Sequence, residues 1–113
     1  MAKTVILLTS EGLGGPGDPE LRAQLIGSFL RKLWSLEKKP DTIIFYHSAV
    51  KLLIEGSSVL DALDGLSRAG VDLIACRTCI GYYDLSEKMK IGRISTMDEI
   101  ALLLMTAEKV VTP

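Results

Sequence analysis

Three short apolar runs divide this chain: "TVILLT" (4–9), "TIIFYH" (42–47) and "VDLIAC" (71–76). Each is rich in β-branched residues and is followed by polar or turn-forming ones, so each reads as a strand buried on both faces. Strands without a polar face need helices above and below them. The intervening segments have the pattern to supply them. In "DPELRAQLIGSFLRKLWSLEKK" (18–39), Leu21, Leu25, Phe29 and Leu33 recur at four-residue spacing, with Ile26 and Leu30 alongside. Asp18 stands as the N-cap, Pro19 as the first helical residue and Pro40 as the terminator. In "SSVLDALDGLSRAG" (57–70), Leu60, Leu63 and Leu66 share one side and Gly70 ends the helix.

Further on, "IGRIS" (91–95) reads as a short strand and "KVVTP" (109–113) as a terminal one. Thr96 and Glu99 have capping-box spacing ahead of "MDEIALLLMTAEK". That helix is apolar almost all round, because Leu102, Leu103, Leu104 and Met105 are consecutive. It needs cover, either from the core or from another subunit. Alternating strands and helices predict a parallel sheet with helices on both faces. Right-handed crossovers then gather the strand-to-helix loops at one sheet edge, where ligands bind in such folds. Three loops converge there: Ser10–Gly17, His47–Ser57 and Cys76–Tyr83.

At 113 residues the chain reads as a single domain, 1–113, large enough to bury a core without a disulfide or a metal. Hydrophobic residues make up 48% and the mean hydropathy is +0.31, a surplus that requires a doubly buried sheet or a covered exterior. Thirteen basic residues against fourteen acidic give a net charge of -1. The densest basic stretch, "RKLWSLEKK" (31–39), is the solvated face of a helix, which argues against a nucleic-acid partner. The first ten residues hold only four consecutive apolar ones, too few for a signal peptide or a membrane span. The expected compartment is the cytoplasm. Thiols stay reduced there, so a cysteine pair is expected to be chemical rather than structural.

That pair, Cys76 and Cys79, sits in "DLIACRTCIGYYDL" (72–85) at the end of the third strand. Four readings are open to it. A zinc site needs about four ligands, and His47 is the only histidine, so one chain cannot close it. A thioredoxin-like dithiol reductase matches the C-x-x-C spacing, but such motifs open a long helix, and Gly81 follows closely here. Two buried, unreactive thiols are the plain structural reading. The fourth reading is a sulfur carrier, whose thiolate accepts a sulfane sulfur and passes it on. That chemistry needs a reachable thiolate and nearby positive charge, for which Arg77, Lys51 and His47 are the candidates. Cys79 would serve as the resolving thiol. On this reading the sulfur of Cys76 lies open to solvent at the sheet's rim.

"GLGGPG" (12–17) matches G-x-G-x-x-G between a strand and a helix. No acidic residue ends the second strand to hold a ribose, and Asp18 puts negative charge where a pyrophosphate would lie. The segment is therefore expected to be a loop over the site, with Ser10, Glu11, Gly12 and Gly14 at its start, or a turn requiring positive φ. No cofactor and no metal are expected.

"LIACRTCIGYYDL" and "KIGRISTMDEIALLLMTAEKVVTP" resemble the DsrE-like family of small sulfur-relay proteins, closest to its stand-alone bacterial members and the C-terminal domain of the selenium-metabolism protein YedF. "LLTSEGLGGPGDPELRAQLIGSFL" and "TIIFYHSAVKLLIEGS" are similar to that family's first two strand-to-helix segments. The resemblance implies a three-layer α/β/α sandwich, flavodoxin-like, around a mainly parallel five-stranded sheet. It also implies homo-oligomers such as trimers or hexamers, and sulfur donor and acceptor proteins as partners. In the family's relay members a strand-end cysteine carries persulfide sulfur. That implies Cys76 as the carrier, with Cys79 an additional thiol. Tyr82, Tyr83 and Asp84 stand where relay members have a basic stretch and glycine, a departure that points toward the YedF-like branch. Non-catalytic scaffolding and dithiol oxidoreduction remain the alternatives.

Overall fold

A computed structural model describes residues 3–113. Five strands form one parallel sheet: β1 (Thr4–Leu8), β2 (Thr42–Phe45), β3 (Asp72–Cys76), β4 (Arg93–Ser95) and β5 (Lys109–Val111). Their spatial order is β4-β3-β2-β1-β5. Four α-helices connect them: α1 (Pro19–Ser35), α2 (Leu60–Arg68), α3 (Arg77–Tyr82) and α4 (Met97–Thr106). The register aligns Leu8 with Phe45, Phe45 with Ala75 and Cys76 with Ser95, so the carboxyl ends of β1 to β4 lie level.

The strand order decides which face each helix covers. From β1 to β4 the chain steps in one direction, and right-handed crossovers then keep α1, α2 and α3 on one face. The β4-to-β5 connection runs back across the sheet and leaves α4 on the other. The two faces are buried very differently. Ile6, Leu8, Ile43, Phe45, Leu73 and Ala75 point into a large core under α1 and α2. Val5, Ile44, Ile74 and Cys76 point into a small one, where Ile100 is the one fully buried residue of α4. Leu102 is 63% exposed and Met105 84% exposed, so the apolar helix lacks the cover its composition demands.

Local details depart from the sequence reading in instructive ways. In α1 the buried stripe is Ile26, Leu30 and Leu33, while Leu21 and Leu25 face outward. Helix α1 stops at Ser35 because Leu36 turns extended, its N–H still reaching the carbonyls of Lys32 and Leu33. Asp18 holds the N-cap position in the left-handed region (φ 42°) without a side-chain hydrogen bond to the helix. The capping box is not made either. Thr96 caps nothing with its side chain, and the carboxylate of Glu99 binds Ser95 and Arg93 instead. Arg93 also forks onto Asp72, which ties β3, β4 and α4 together. Gly70 does end α2, at φ +98°: its N–H donates to Ser67 O while Val71 N–H donates to Leu66 O. The segment after β2, read as a loop, is a 3-10 helix (His47–Leu53) that buries Ala49, Val50, Leu52 and Leu53. Among the described residues, no helix is long and apolar enough to cross a membrane.

Candidate functional site

The three loops do meet. Glu11 N–H donates to Ser48 Oγ at 3.3 Å, linking the first to the second. His47 N–H donates to Cys79 Sγ at 3.0 Å, linking the second to the third. Lys51 Nζ lies 4.5 Å from the centre of the Tyr83 ring, a cation–π contact across the same junction. What the loops build differs from the expected site in one central respect.

Cys76 is 2% exposed. As the last residue of β3 it shares a face with Ile74, and it packs with Val5, Ile44 and Ile100 beneath α4. The expectation that its sulfur is open to solvent is therefore corrected. The cause is strand alternation, which turns the side chain at 76 onto the face that α4 covers. Cys79, three residues on and inside α3, is only partly buried. It lies where the two cores meet and lines a surface pocket of about 440 Å³ with His47, Thr78, Tyr82 and Tyr83.

The electrostatics around Cys79 are mixed. Burial pushes its thiol above the ordinary cysteine value, the His47 N–H pulls it back, and the neighbouring Cys76 thiol adds to the rise. No cation is among these influences. His47 reaches the sulfur through its backbone, at φ 52°, and its imidazole stands edge-on to Tyr83 at 6.3 Å. Lys51 is directed at Tyr83 and at Glu11, 4.0 Å away. Arg77 is exposed. Tyr46, unmarked in the sequence reading, flanks both thiols. Burial first, then the two cysteines, raise its phenol, and its hydroxyl contacts Met97 Sδ at 3.2 Å. Its signal was available, since Tyr46 follows Ile44 at the two-residue period that carries a strand face past its end.

The glycine-rich loop is not folded as a phosphate cradle. Three of its N–H groups already have partners: Glu11 binds Ser48 Oγ, Gly12 binds Ser10 Oγ and Leu13 binds Arg22 O. Gly12 lies so close to α1 that a Cβ there would come within 2.7 Å of Arg22 Cβ. Gly14 and Gly17 have φ of +93° and +96°, the positive values that made a turn the alternative expectation. Ser10 holds the loop by accepting a 2.7 Å hydrogen bond from Arg22 Nη2 and donating to Gly12 O. Glu11 and Gly12 border a larger cavity beside Arg22, and neither lines the pocket at Cys79. No three His, Cys, Asp or Glu side chains converge as a metal site among the described residues.

No protein-family model matches the chain, and no curated protein matches it in sequence. Solved structures do. The YchN protein from E. coli superposes with a TM-score of 0.66 at 18% identity, covering 98% of this chain and 99% of that one. MTH1491 from Methanobacterium thermoautotrophicum, a protein of unknown function, gives a TM-score of 0.68 at 19% identity, covering 98% of each chain. At such identity the likeness speaks to the backbone alone. The chain shares with both a flavodoxin-like α/β/α architecture around a parallel five-stranded sheet.

Proposed function

We propose that this protein is a sulfane-sulfur carrier that loads sulfur on Cys79, with Cys76 packed behind it as an inner thiol that is not loaded. The observation that carries the reading is the pair's asymmetry. One thiol reaches a surface pocket beside a backbone N–H donor, and its partner packs in the core cluster behind it. In the loading step the Cys79 thiolate attacks the outer sulfur of a donor persulfide. The donor's S–S bond breaks, the donor leaves as a thiolate, and Cys79 becomes a persulfide. In transfer, an acceptor thiolate attacks the terminal sulfur and Cys79 is restored as a thiolate. No external oxidant or reductant is consumed. The His47 N–H stabilises negative charge on Cys79 at both stages. The strand-end correspondence pointed to Cys76, and burial moves the carrier role three residues along the chain.

The DsrE-like backbone supports this reading, as do the exposed Leu102 and Met105, which suit assembly of several copies through α4. The protein would work as a homo-oligomer between a sulfur donor and an acceptor. The test is to incubate wild type, Cys76→Ser and Cys79→Ser with inorganic polysulfide and weigh the intact proteins. Wild type and Cys76→Ser should gain one thiol-reversible sulfur atom, and Cys79→Ser none. An unchanged wild-type mass, or an equal gain in Cys79→Ser, overturns the proposal. A second reading, an oligomeric binding module with unreactive thiols, draws on the burial of Cys76 and the raised thiol of Cys79. It is the one left standing if neither thiol reacts in the folded protein.

A further inference from the structure

A cavity larger than the one at the thiol lies beside it. It holds about 560 Å³ between the first turns of α1, the end of the 3-10 segment and residues 54–58. That volume lies within the roughly 300–1,000 Å³ of small-molecule sites. Its charged lining is balanced, with Arg22 and Lys51 against Glu11 and Glu55. Lys51 and Glu11 already face each other at 4.0 Å. Arg22 and Glu55 form no ion pair among the described residues, although both line the cavity. Arg22 stands out further because, among the described residues, its guanidinium donates only to Ser10 Oγ; its Nε–H, closed off from solvent, has no acceptor. A guanidinium that donates only to a serine hydroxyl, beside an open cavity, lacks the planar oxyanion its fork is shaped to hold.

The rest of the wall narrows the ligand. A phosphate would meet two carboxylates, and the adjoining loop N–H groups are already bonded within the protein. Ala23, Ile26, Leu52 and Ile54 form an apolar side. We propose that this cavity binds a small zwitterion of amino-acid or short-peptide type, its carboxylate on Arg22, its ammonium at Glu55 and its aliphatic part against Ile26 and Ile54. The assignment is independent of the thiol chemistry, because neither cysteine lines the cavity.

Calorimetric titration of the full chain with L-leucine, L-alanyl-L-leucine, 4-methylpentanoate and inorganic phosphate tests it. The two zwitterions should bind saturably, and 4-methylpentanoate, which lacks the ammonium group, about tenfold more weakly. Arg22→Gln should weaken both zwitterions by about tenfold or more. Because Arg22 also steadies the loop through Ser10, Glu55→Gln provides a second arm. It should weaken the zwitterions and leave 4-methylpentanoate unchanged. The proposal is overturned if neither zwitterion binds, if 4-methylpentanoate or phosphate binds as tightly as they do, or if Glu55→Gln binds them like wild type.

Discussion

The backbone N–H of His47 donates to Cys79 Sγ at 3.0 Å, from a residue held at φ 52°. A non-glycine residue in the left-handed region carries some strain, less for histidine than for most, and it persists where its surroundings enforce it. Here the enforcing contacts are the sulfur on one side and the edge of the Tyr83 ring on the other. Replacing His47 by glycine keeps the N–H and removes the strain. His47→Gly should leave Cys79 alkylation within about twofold of wild type and raise stability by up to about 1 kcal/mol. Denaturant melts and alkylation rates measure both. A large change in thiol reactivity would show that the imidazole, rather than the backbone, governs the sulfur.

The two cysteines should differ sharply in accessibility. Under native conditions iodoacetamide should modify Cys79 and spare Cys76, and after denaturation it should modify both. Peptide mass mapping separates the two sites. Equal native rates would contradict the 2% exposure of Cys76. Because burial raises the Cys79 thiol, its alkylation should accelerate at higher pH than that of a free cysteine. The folded thiol holds its proton longer than the unfolded one. The resulting stabilisation is complete below the ordinary thiol value of 9.0 and is lost as pH rises through the folded value.

Arg93 provides an acid-side counterpart. It forks onto Glu99 at 2.7 and 2.8 Å and onto Asp72 at 2.9 and 3.0 Å. Arg93 and the Ser95 hydroxyl together depress the Glu99 carboxyl to about 2. A depressed carboxylate stabilises the fold above its unfolded value of 4.5 and loses that contribution as pH falls toward 2. The side chains are partly exposed, so solvent screening limits the contribution to about 1 kcal/mol. Urea melts between pH 7 and pH 3 should show a smaller acid loss in Glu99→Gln than in wild type. An identical acid slope in the two proteins would remove this account.

Gly65 tests the packing of α1 on α2. A Cβ at 65 would run into the Trp34 ring, which lies against the α2 backbone at that point. Gly65→Ala should therefore displace the indole and cost about 1–3 kcal/mol, despite alanine's better helix propensity. Trp34 is the chain's one tryptophan, so its fluorescence reports the displacement directly. A stabilised variant with unchanged emission would mean the ring moves aside freely.

The bare apolar side of α4 yields a prediction about assembly. If copies meet there, Leu102→Glu combined with Met105→Glu should release monomers of about 12 kDa while leaving the fold intact, since both residues are exposed in the single chain. Light scattering and circular dichroism read the two outcomes. A wild type that already scatters as a monomer would show that α4 is not the contact.

Much of this molecule could be read from the order of its residues. The doubly apolar runs at 4–9, 42–47 and 71–76 specify buried parallel strands, because no one-sided sheet tolerates them. The pattern of the intervening segments then fixes which helices lie between them, and Gly70 stops α2 through a backbone conformation that glycine adopts without strain. These features depend on neighbours a few residues away. The site did not follow in the same way. Which thiol meets solvent depends on α4 crossing back over the face that carries Cys76, and that follows from a strand order the sequence does not spell out. Glu99 abandoned its capping box because Arg93, on the preceding strand β4 and tied to Asp72 of β3, bound it more strongly as a full charge. Local pattern governs what each segment becomes. Contacts between segments distant in the chain decide which atoms are left within reach of a reactant.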